Sequence, residues 1–150
     1  MEKQFYNWKA TDSLSRQLAW KVINSKFRPQ ILVAVIRGGL FPALIISHEL
    51  DNKELYAVKC IHYKDLKHQK AELVFQQDIP KKLCTGKRVL VIDEVADSGE
   101  SLELIKKILK RQKPKSIKTA VLHKKPGSMH KPDYFMEETS AWIVYPWEKQ

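Results

Sequence analysis

A run of acidic, hydroxyl and glycine residues in the second half of the chain has the chemistry to bind a phosphorylated sugar. Residues 89–101 read VLVIDEVADSGES, in which Asp93 and Glu94 follow an apolar stretch and Asp97 precedes an S-G-x-S turn. Adjacent carboxylates can hold sugar hydroxyls or Mg²⁺, and a helix that starts at a glycine turn presents unpaired N–H groups to a phosphate. Each residue alone is better explained as a helix cap or a solvated acid, but the complete run favours a binding site.

A second segment suited to anions follows an earlier apolar run. Arg37, Gly38 and Gly39 come directly after Ile31–Ile36. Glycines allow unusual dihedral angles, so that successive backbone N–H groups can converge on an anion, and a guanidinium group matches phosphate oxygens. An ordinary strand-to-helix turn explains this segment equally well when it is taken alone.

The elements that would position these segments alternate between strands and helices. Apolar runs predict strands over residues 31–36, 54–61, 87–93 and 117–122, with shorter pieces over 134–147. Apolar stripes predict helices over 11–27, 40–50 and from about 101 to 112, the first of them capped by Thr11 or Asp12. This order is typical of an α/β domain with a mostly parallel sheet flanked by helices, in which ligands bind at the carboxyl ends of the strands.

Composition limits the class of protein and its partners. The 150 residues contain 27 Lys and Arg against 17 Asp and Glu, so the formal net charge is +10. That charge favours an anionic partner, either a nucleic acid or a phosphorylated small molecule. No apolar run reaches the ~18 residues of a membrane helix, and no secretory signal is visible, so we expect one cytoplasmic domain over 1–150. Cys60 and Cys84 lie outside any CxxC pair and are expected to be free thiols.

The motif at 89–101 resembles the phosphoribosyl-diphosphate (PRPP) signature of the type I phosphoribosyltransferases. That signature has four apolar residues, two acids, two mostly small or apolar residues and then Asp-Thr/Ser-Gly-x-Thr/Ser, and every defining position is filled here. Arg37–Gly39 resembles the pyrophosphate loop of the same family and comes in the expected order. The resemblance therefore implies the α/β fold of that family, with a small C-terminal hood over the base.

The resemblance also implies roles for individual residues. Asp93 and Glu94 would contact the ribose hydroxyls directly or through Mg²⁺, and Asp97 would help to move a proton at N7 of a purine. The implied PRPP-binding residues are Asp93, Glu94, Ala96, Asp97, Ser98, Gly99, Glu100 and Ser101. The implied pyrophosphate-binding residues are Arg37, Gly38, Gly39 and Lys70. Glu100 departs from the family pattern, in which small or basic residues are frequent at this position.

A polar, basic segment falls where the family carries a mobile loop that closes over PRPP. We expect residues 62–72 to form this loop. Lys67 and Lys70 are then candidate pyrophosphate contacts, and Tyr63 is a further candidate. A solvated charge run is the alternative interpretation of the two lysines.

The C-terminal segment resembles the short 6-oxopurine phosphoribosyltransferases, which are the xanthine-guanine and hypoxanthine-guanine enzymes. By this resemblance Lys125, or alternatively Lys124, donates to O6 of the base, whereas Trp142 stacks on the purine and the backbone of Ile143 meets its edge. Glu148 aligns with an acid that can help to bind a second Mg²⁺. Trp147 is interpreted as a core residue.

The resemblance as a whole implies a purine salvage enzyme. It would convert a 6-oxopurine and PRPP to the purine 5′-mononucleotide and pyrophosphate, with Mg²⁺, as a homodimer or homotetramer that needs neither membrane nor nucleic acid. One alternative is a PRPP-sensing RNA-binding or transcriptional regulator of the same fold, which the basic segment 106–118 would suit. Another is an enzyme acting on a pyrimidine or a cofactor precursor. The order of preference among xanthine, guanine and hypoxanthine stays open.

Overall fold

The computed structural model describes residues 1–65, 70–75 and 79–149, with side chains described over 1–61 and 79–149. The strands of this part are β1 (Lys3–Phe5), β2 (Ile31–Val35), β3 (Leu55–Val58), β4 (Cys60–Asp65), β5 (Lys70–Phe75), β6 (Arg88–Ala96), β7 (Ser116–Lys124), β8 (Tyr134–Glu138) and β9 (Trp142–Val144). Its helices are α1 (Trp8–Asn24), α2 (Leu40–Glu49) and α3 (Glu100–Lys110). No helix among these residues is long and apolar enough to cross a membrane.

A five-stranded sheet with the order β3-β2-β6-β7-β8 forms the centre, and all of its neighbouring strands are parallel. Every residue of β2 is buried, because helices cover both faces of the sheet. Residues Ile31 and Ala34 of β2 pair with Val89 and Ile92 of β6, so these strands reach the same edge together. The expected α/β architecture is confirmed.

The alternation of side chains along the strands produces two apolar cores. On one face, Leu32 and Ala34 pack with residues of α1 and α2, such as Leu18 and Ile46. On the other face, Val33 and its neighbours pack with the buried stripe of α3. That stripe consists of Leu102, Ile105 and Leu109. Because a buried strand faces two cores, its sequence is a continuous apolar run rather than an alternating one.

The first helix begins earlier than its apolar stripe predicts. The Asn7 side chain caps α1 by accepting a hydrogen bond from Ala10 N at 2.8 Å. The expectation that Thr11 or Asp12 caps this helix is therefore wrong. Thr11 is buried inside the helix and donates its hydroxyl to Asn7 O at 2.9 Å.

Two stretches of strand differ from the prediction. β6 continues to Ala96, beyond its expected end at Asp93, so Glu94 belongs to the strand instead of following it. The strand expected at 54–61 is divided between β3 and the start of β4. The expectation of a loop over 62–72 is wrong for the residues that belong to β4 and β5. These two strands pair antiparallel from Cys60↔Phe75 to Asp65↔Lys70. Lys67 lies outside the described residues.

A small sheet outside the central one joins the two ends of the chain. β1 pairs with β9 in parallel, with Gln4 opposite Ile143. The predicted C-terminal hood therefore contains an N-terminal strand, which no pattern in the sequence predicts. This sheet holds β9 beside the carboxyl end of β6, where Trp142 and Ile143 border the same cavity as Glu94.

Candidate active site

Two adjoining cavities lie at the carboxyl ends of β2 and β6, and Glu94 and Glu148 line both of them. The larger has a volume of about 810 Å³ and is also lined by Trp8, Arg37, Gly38, Leu40, Phe41, Trp147 and Lys149. The smaller has a volume of about 200 Å³ and is also lined by Val95, Asp97, Lys125, Trp142, Ile143 and Tyr145. Residues that are far apart in the sequence therefore meet around one acidic edge.

The Arg37–Gly39 turn lies directly against the acidic end of β6. A Cβ atom on Gly38 would overlap the carboxylate of Glu94. A Cβ atom on Gly39 would lie 2.6 Å from the carbonyl oxygens of both Val35 and Ile92. Neither glycine has a positive φ. The expected reason for a glycine, unusual dihedral angles, is therefore wrong for Gly39, which has φ −69° and ψ −14° and is instead required by close packing against backbone atoms.

The acid pair is crowded, and its first member is largely removed from water whereas Glu94 is only partly buried. Asp93 is 9% exposed, and its Oδ1 accepts a hydrogen bond from Glu94 N at 2.8 Å. Burial, followed by the charge of Glu94, raises the pKa of Asp93 well above its usual value. Burial and the charge of Glu94 also raise the pKa of Glu148. Glu94 therefore lies close enough to both Asp93 and Glu148 to affect their ionisation.

These acids fit a cation that is shared with a substrate. No Lys, Arg or His in the described parts of the chain forms an ion pair with Asp93 or Glu94. The same residues contain no group of three or more His, Cys, Asp or Glu side chains able to hold a metal alone. Mg²⁺ commonly takes one or two carboxylates and completes its shell with water and substrate phosphates. The donor set at β6 matches that pattern.

The turn between β6 and α3 presents an open helix start. Gly99 precedes α3 with φ +86°, and no side chain caps the helix at this position. A Cβ on Gly99 would lie 2.7 Å from Ser128 Oγ and 2.8 Å from His130 Cβ, so here both the dihedral angle and the space require glycine. Ser98 Oγ accepts from Glu100 N at 3.3 Å, which is a weak contact. Backbone N–H groups at a helix start of this kind can bind an anion.

The remaining PRPP-motif residues lie around this turn with different exposure. The Asp97 side chain is exposed at the edge of the smaller cavity, whereas Ala96 is buried beneath it. Ser101 is partly buried in the first turn of α3. The Glu100 side chain is exposed to solvent, which limits the electrostatic cost of an acid beside a bound phosphate.

The predicted base-contacting residues meet in the smaller cavity. Lys125 N donates to Ala96 O at 3.0 Å, and its Nζ donates to Ala141 O. Trp142 keeps 50% of its surface exposed, whereas Ile143 is 7% exposed. Lys124 instead forms an ion pair with Glu138 at 2.6 Å. This geometry favours Lys125 over Lys124 as the cavity lysine.

Several lining residues were not identified from the sequence. Trp8 and Phe41 contact each other with ring centroids 5.1 Å apart, and both lie near Trp147 on the wall of the larger cavity. Trp147 also stacks on Tyr145, with ring centroids 4.8 Å apart, so it both packs in the core and lines the cavity. Trp8 and Phe41 occupy the first turns of α1 and α2, and no local pattern distinguishes them from core residues. Lys70 belongs to β5, and its side chain lies outside the described residues.

Comparison with known proteins agrees with this geometry. A family model described as a phosphoribosyl transferase domain matches residues 1–149. The chain is similar to the xanthine-guanine phosphoribosyltransferases of Cereibacter sphaeroides, at 30% identity over 98% of this chain and 88% of the relative, and of Desulfotalea psychrophila, at 33% identity over 96% and 85%. Its fold matches the crystal structure of a purine phosphoribosyltransferase from Pyrococcus horikoshii, with a TM-score of 0.92, 33% identity and coverage of 100% and 97%. The chain therefore belongs to the phosphoribosyltransferase family, as its motifs indicate.

Proposed function

We propose that this protein transfers the phosphoribosyl group of PRPP to N9 of a 6-oxopurine and releases pyrophosphate. The observation that carries the proposal is the meeting of Asp97, Lys125 and Trp142 in one cavity that borders the acid pair. The substrates named for its relatives, xanthine and guanine, support this choice of base. Hypoxanthine has the same 6-oxo group and is included.

The PRPP molecule would lie along the carboxyl edge of β2 and β6. The Arg37 guanidinium and the amides of Gly38 and Gly39 would hold pyrophosphate, with Lys70 as a further candidate. Asp93 and Glu94 would hold the ribose hydroxyls. The 5′-phosphate would bind at the open start of α3, where the backbone from Ala96 to Ser101 offers N–H groups and the hydroxyls of two serines.

The base would lie in the smaller cavity, against the hood. Trp142 offers a half-exposed aromatic face for stacking on the purine. Lys125 Nζ would donate a hydrogen bond to O6, because an ammonium group is only a donor. The 6-amino group of adenine could not accept this hydrogen bond as readily. The backbone of Ile143 would contact the edge of the ring. These contacts select an oxopurine over adenine.

The reaction needs alignment more than acid–base power. N9 forms a bond to C1′ while the bond from C1′ to the pyrophosphate oxygen breaks, and the bond electrons leave with pyrophosphate. Arg37 and the glycine amides would stabilise the charge that develops on the leaving group. Asp97 would accept the proton that the purine loses. The cavity walls would exclude water, which would otherwise attack the oxocarbenium-like centre.

Asp93 and Glu94 are the residues that would hold Mg²⁺, with Glu148 near enough to serve a second ion. When it is bound, the metal neutralises charge on the pyrophosphate. From the family resemblance we also propose a cytoplasmic enzyme with one domain that assembles as a homodimer or homotetramer.

A PRPP-sensing regulator that binds RNA is the competing function, and the relatives named above give it no support. The variant Asp97→Asn separates the two functions. For the enzyme, we expect purine transfer to fall strongly in the variant, because the carboxylate no longer accepts the base proton. Wild-type protein that forms no nucleotide from any 6-oxopurine, but binds RNA with a steep salt dependence that Asp97→Asn leaves unchanged, would overturn the proposal.

A further inference from the structure

A buried hydrogen-bond chain connects the acid strand to the hood. The Tyr145 hydroxyl donates to Glu94 O at 3.0 Å and lies 2.8 Å from His123 Nδ1. Tyr145 is 2% exposed and His123 is fully buried. The tyrosine hydroxyl has one hydrogen, which the carbonyl of Glu94 receives. His123 Nδ1 must therefore carry a hydrogen and donate it to Tyr145, which fixes the orientation of that hydroxyl.

The other side of His123 contacts the N-terminal strand segment and β8. The ring of Tyr6 packs edge-on against His123 with centroids 4.6 Å apart, and the Tyr6 hydroxyl donates to Glu137. His123 Nε2 lies 3.3 Å from Glu137 Oε2 but makes no hydrogen bond to any described residue. A single proton on Nδ1 agrees with burial, which lowers the pKa of His123. The imidazole is therefore held in one orientation by its hydrogen bond to Tyr145 and by the ring of Tyr6.

Tyr145 supports the part of β6 that extends beyond its pairing with β2, whereas β7 pairs with β6 on the other side as far as Ala96. The last pair between β2 and β6 is Ala34 with Ile92, so Glu94 lies beyond the end of that pairing. Tyr145 follows directly after β9, which carries Trp142 and Ile143. One hydrogen bond thus spans the two walls of the smaller cavity, the acidic wall and the base-contacting wall.

We propose that Tyr145 and His123 are positioning residues for the transfer reaction, because they hold Glu94 at a fixed separation from the wall that contacts the base. This inference rests on the proposed function. Neither residue touches the reacting atoms in this account. They act by keeping the ribose side and the purine side of the site aligned for attack of N9 on C1′, and misalignment by about 1 Å costs up to ~100-fold in rate.

The test compares kcat and the KM values of the folded wild type and three folded single variants, measured with PRPP and a 6-oxopurine. Tyr145→Phe removes only the hydroxyl and keeps the ring that stacks on Trp147. His123→Leu removes the donor to Tyr145, whereas His123→Asn keeps an amide donor near the position of Nδ1. We expect kcat to fall roughly 10- to 100-fold in Tyr145→Phe and His123→Leu, with small changes in both KM values. His123→Asn should recover most of the kcat.

The double variant Tyr145→Phe/His123→Leu distinguishes positioning from general stability. If both residues act through one hydrogen-bond chain, the double variant loses no more kcat than Tyr145→Phe alone. A folded Tyr145→Phe enzyme with wild-type kcat, or no recovery in His123→Asn, would overturn the inference. Should Tyr145→Phe fail to fold, the comparison of His123→Asn with His123→Leu decides. Wild-type protein inactive with every base is a separate result, which refutes the proposed function.

Discussion

The backbone of Gly38 packs directly against the carboxylate of Glu94, so a Cβ atom at position 38 fits only if that carboxylate moves. This contact joins the turn proposed to bind pyrophosphate to the acid proposed to bind ribose. It also explains why the turn needs a glycine although its φ is ordinary. The two halves of the proposed PRPP site therefore depend on each other.

Substitution of Gly38 should damage substrate binding more than stability. In Gly38→Ala the new methyl group displaces the Glu94 side chain, which can move, so the protein should still fold. We expect kcat/KM for PRPP to fall roughly 10- to 100-fold. Gly127→Ala is the matched control, since a Cβ there meets nothing within 4 Å. Equal kcat/KM values for the two variants would contradict the predicted role of this contact.

Alanine substitutions at Gly99 and Gly86 distinguish the effect of steric crowding from the effect of backbone strain. Gly99 and Gly86 both have positive φ, at +86° and +68°, but only Gly99 would bring a Cβ against other atoms. Each alanine substitution should cost about 1–2 kcal/mol of unfolding free energy from the dihedral angle alone. Gly99→Ala should in addition raise the KM for PRPP, because the turn must move away from Ser128 and His130. Steady-state kinetics with denaturant unfolding measure both effects, and a normal KM in Gly99→Ala would count against the 5′-phosphate site.

The thiol of Cys60 should react slowly. Burial, followed by the charge of Asp93, raises the pKa of Cys60 to about 11. At pH ~8 the thiolate fraction is then small, so iodoacetamide should modify Cys60 roughly 100-fold more slowly than free cysteine. The measurement uses a Cys84→Ala background, in which Cys60 is the remaining thiol. Modification as fast as that of free cysteine would show that the thiol is not in this environment.

The free energy of unfolding should depend on pH because His123 is buried. Burial lowers its pKa below 6.5, against the opposing effect of Glu137 and together with the charge of Lys125. At pH values between that lowered pKa and 6.5, the unfolded chain binds more protons than the folded protein. The free energy of unfolding therefore increases as the pH rises through this range and decreases as the pH falls. In this pH range the free energy of unfolding of the wild type, relative to that of His123→Asn, should decrease by up to about 1.4 kcal/mol for each pH unit of acidification. Urea unfolding from pH ~7 to ~5 tests this, and a pH-independent difference would contradict it.

The sequence allows prediction of the parts of the site that are local. The acids and the S-G-x-S turn lie within one motif after a strand of continuous apolar residues, so their spacing alone places them at a sheet edge. The central sheet follows from the same kind of signal, because strands buried on both faces have apolar runs such as Ile31–Val35.

The parts that could not be predicted depend on partners distant in the chain. β1 has three residues and acquires its partner β9 only when the two ends of the chain meet. The β4 and β5 strands mix apolar and polar residues with little alternation, so their pairing is not visible locally. Likewise, the contact of Tyr145 with Glu94 depends on packing that no spacing reports.

The most direct test of the central claim is an assay of the purified protein with PRPP, Mg²⁺ and one base at a time. The bases are guanine, xanthine, hypoxanthine, adenine and uracil, and nucleotide formation is followed by absorbance. We expect Mg²⁺-dependent turnover with one or more of the three 6-oxopurines and little or none with adenine and uracil. No turnover with any of the five bases, or turnover with adenine or uracil alone, would contradict the account.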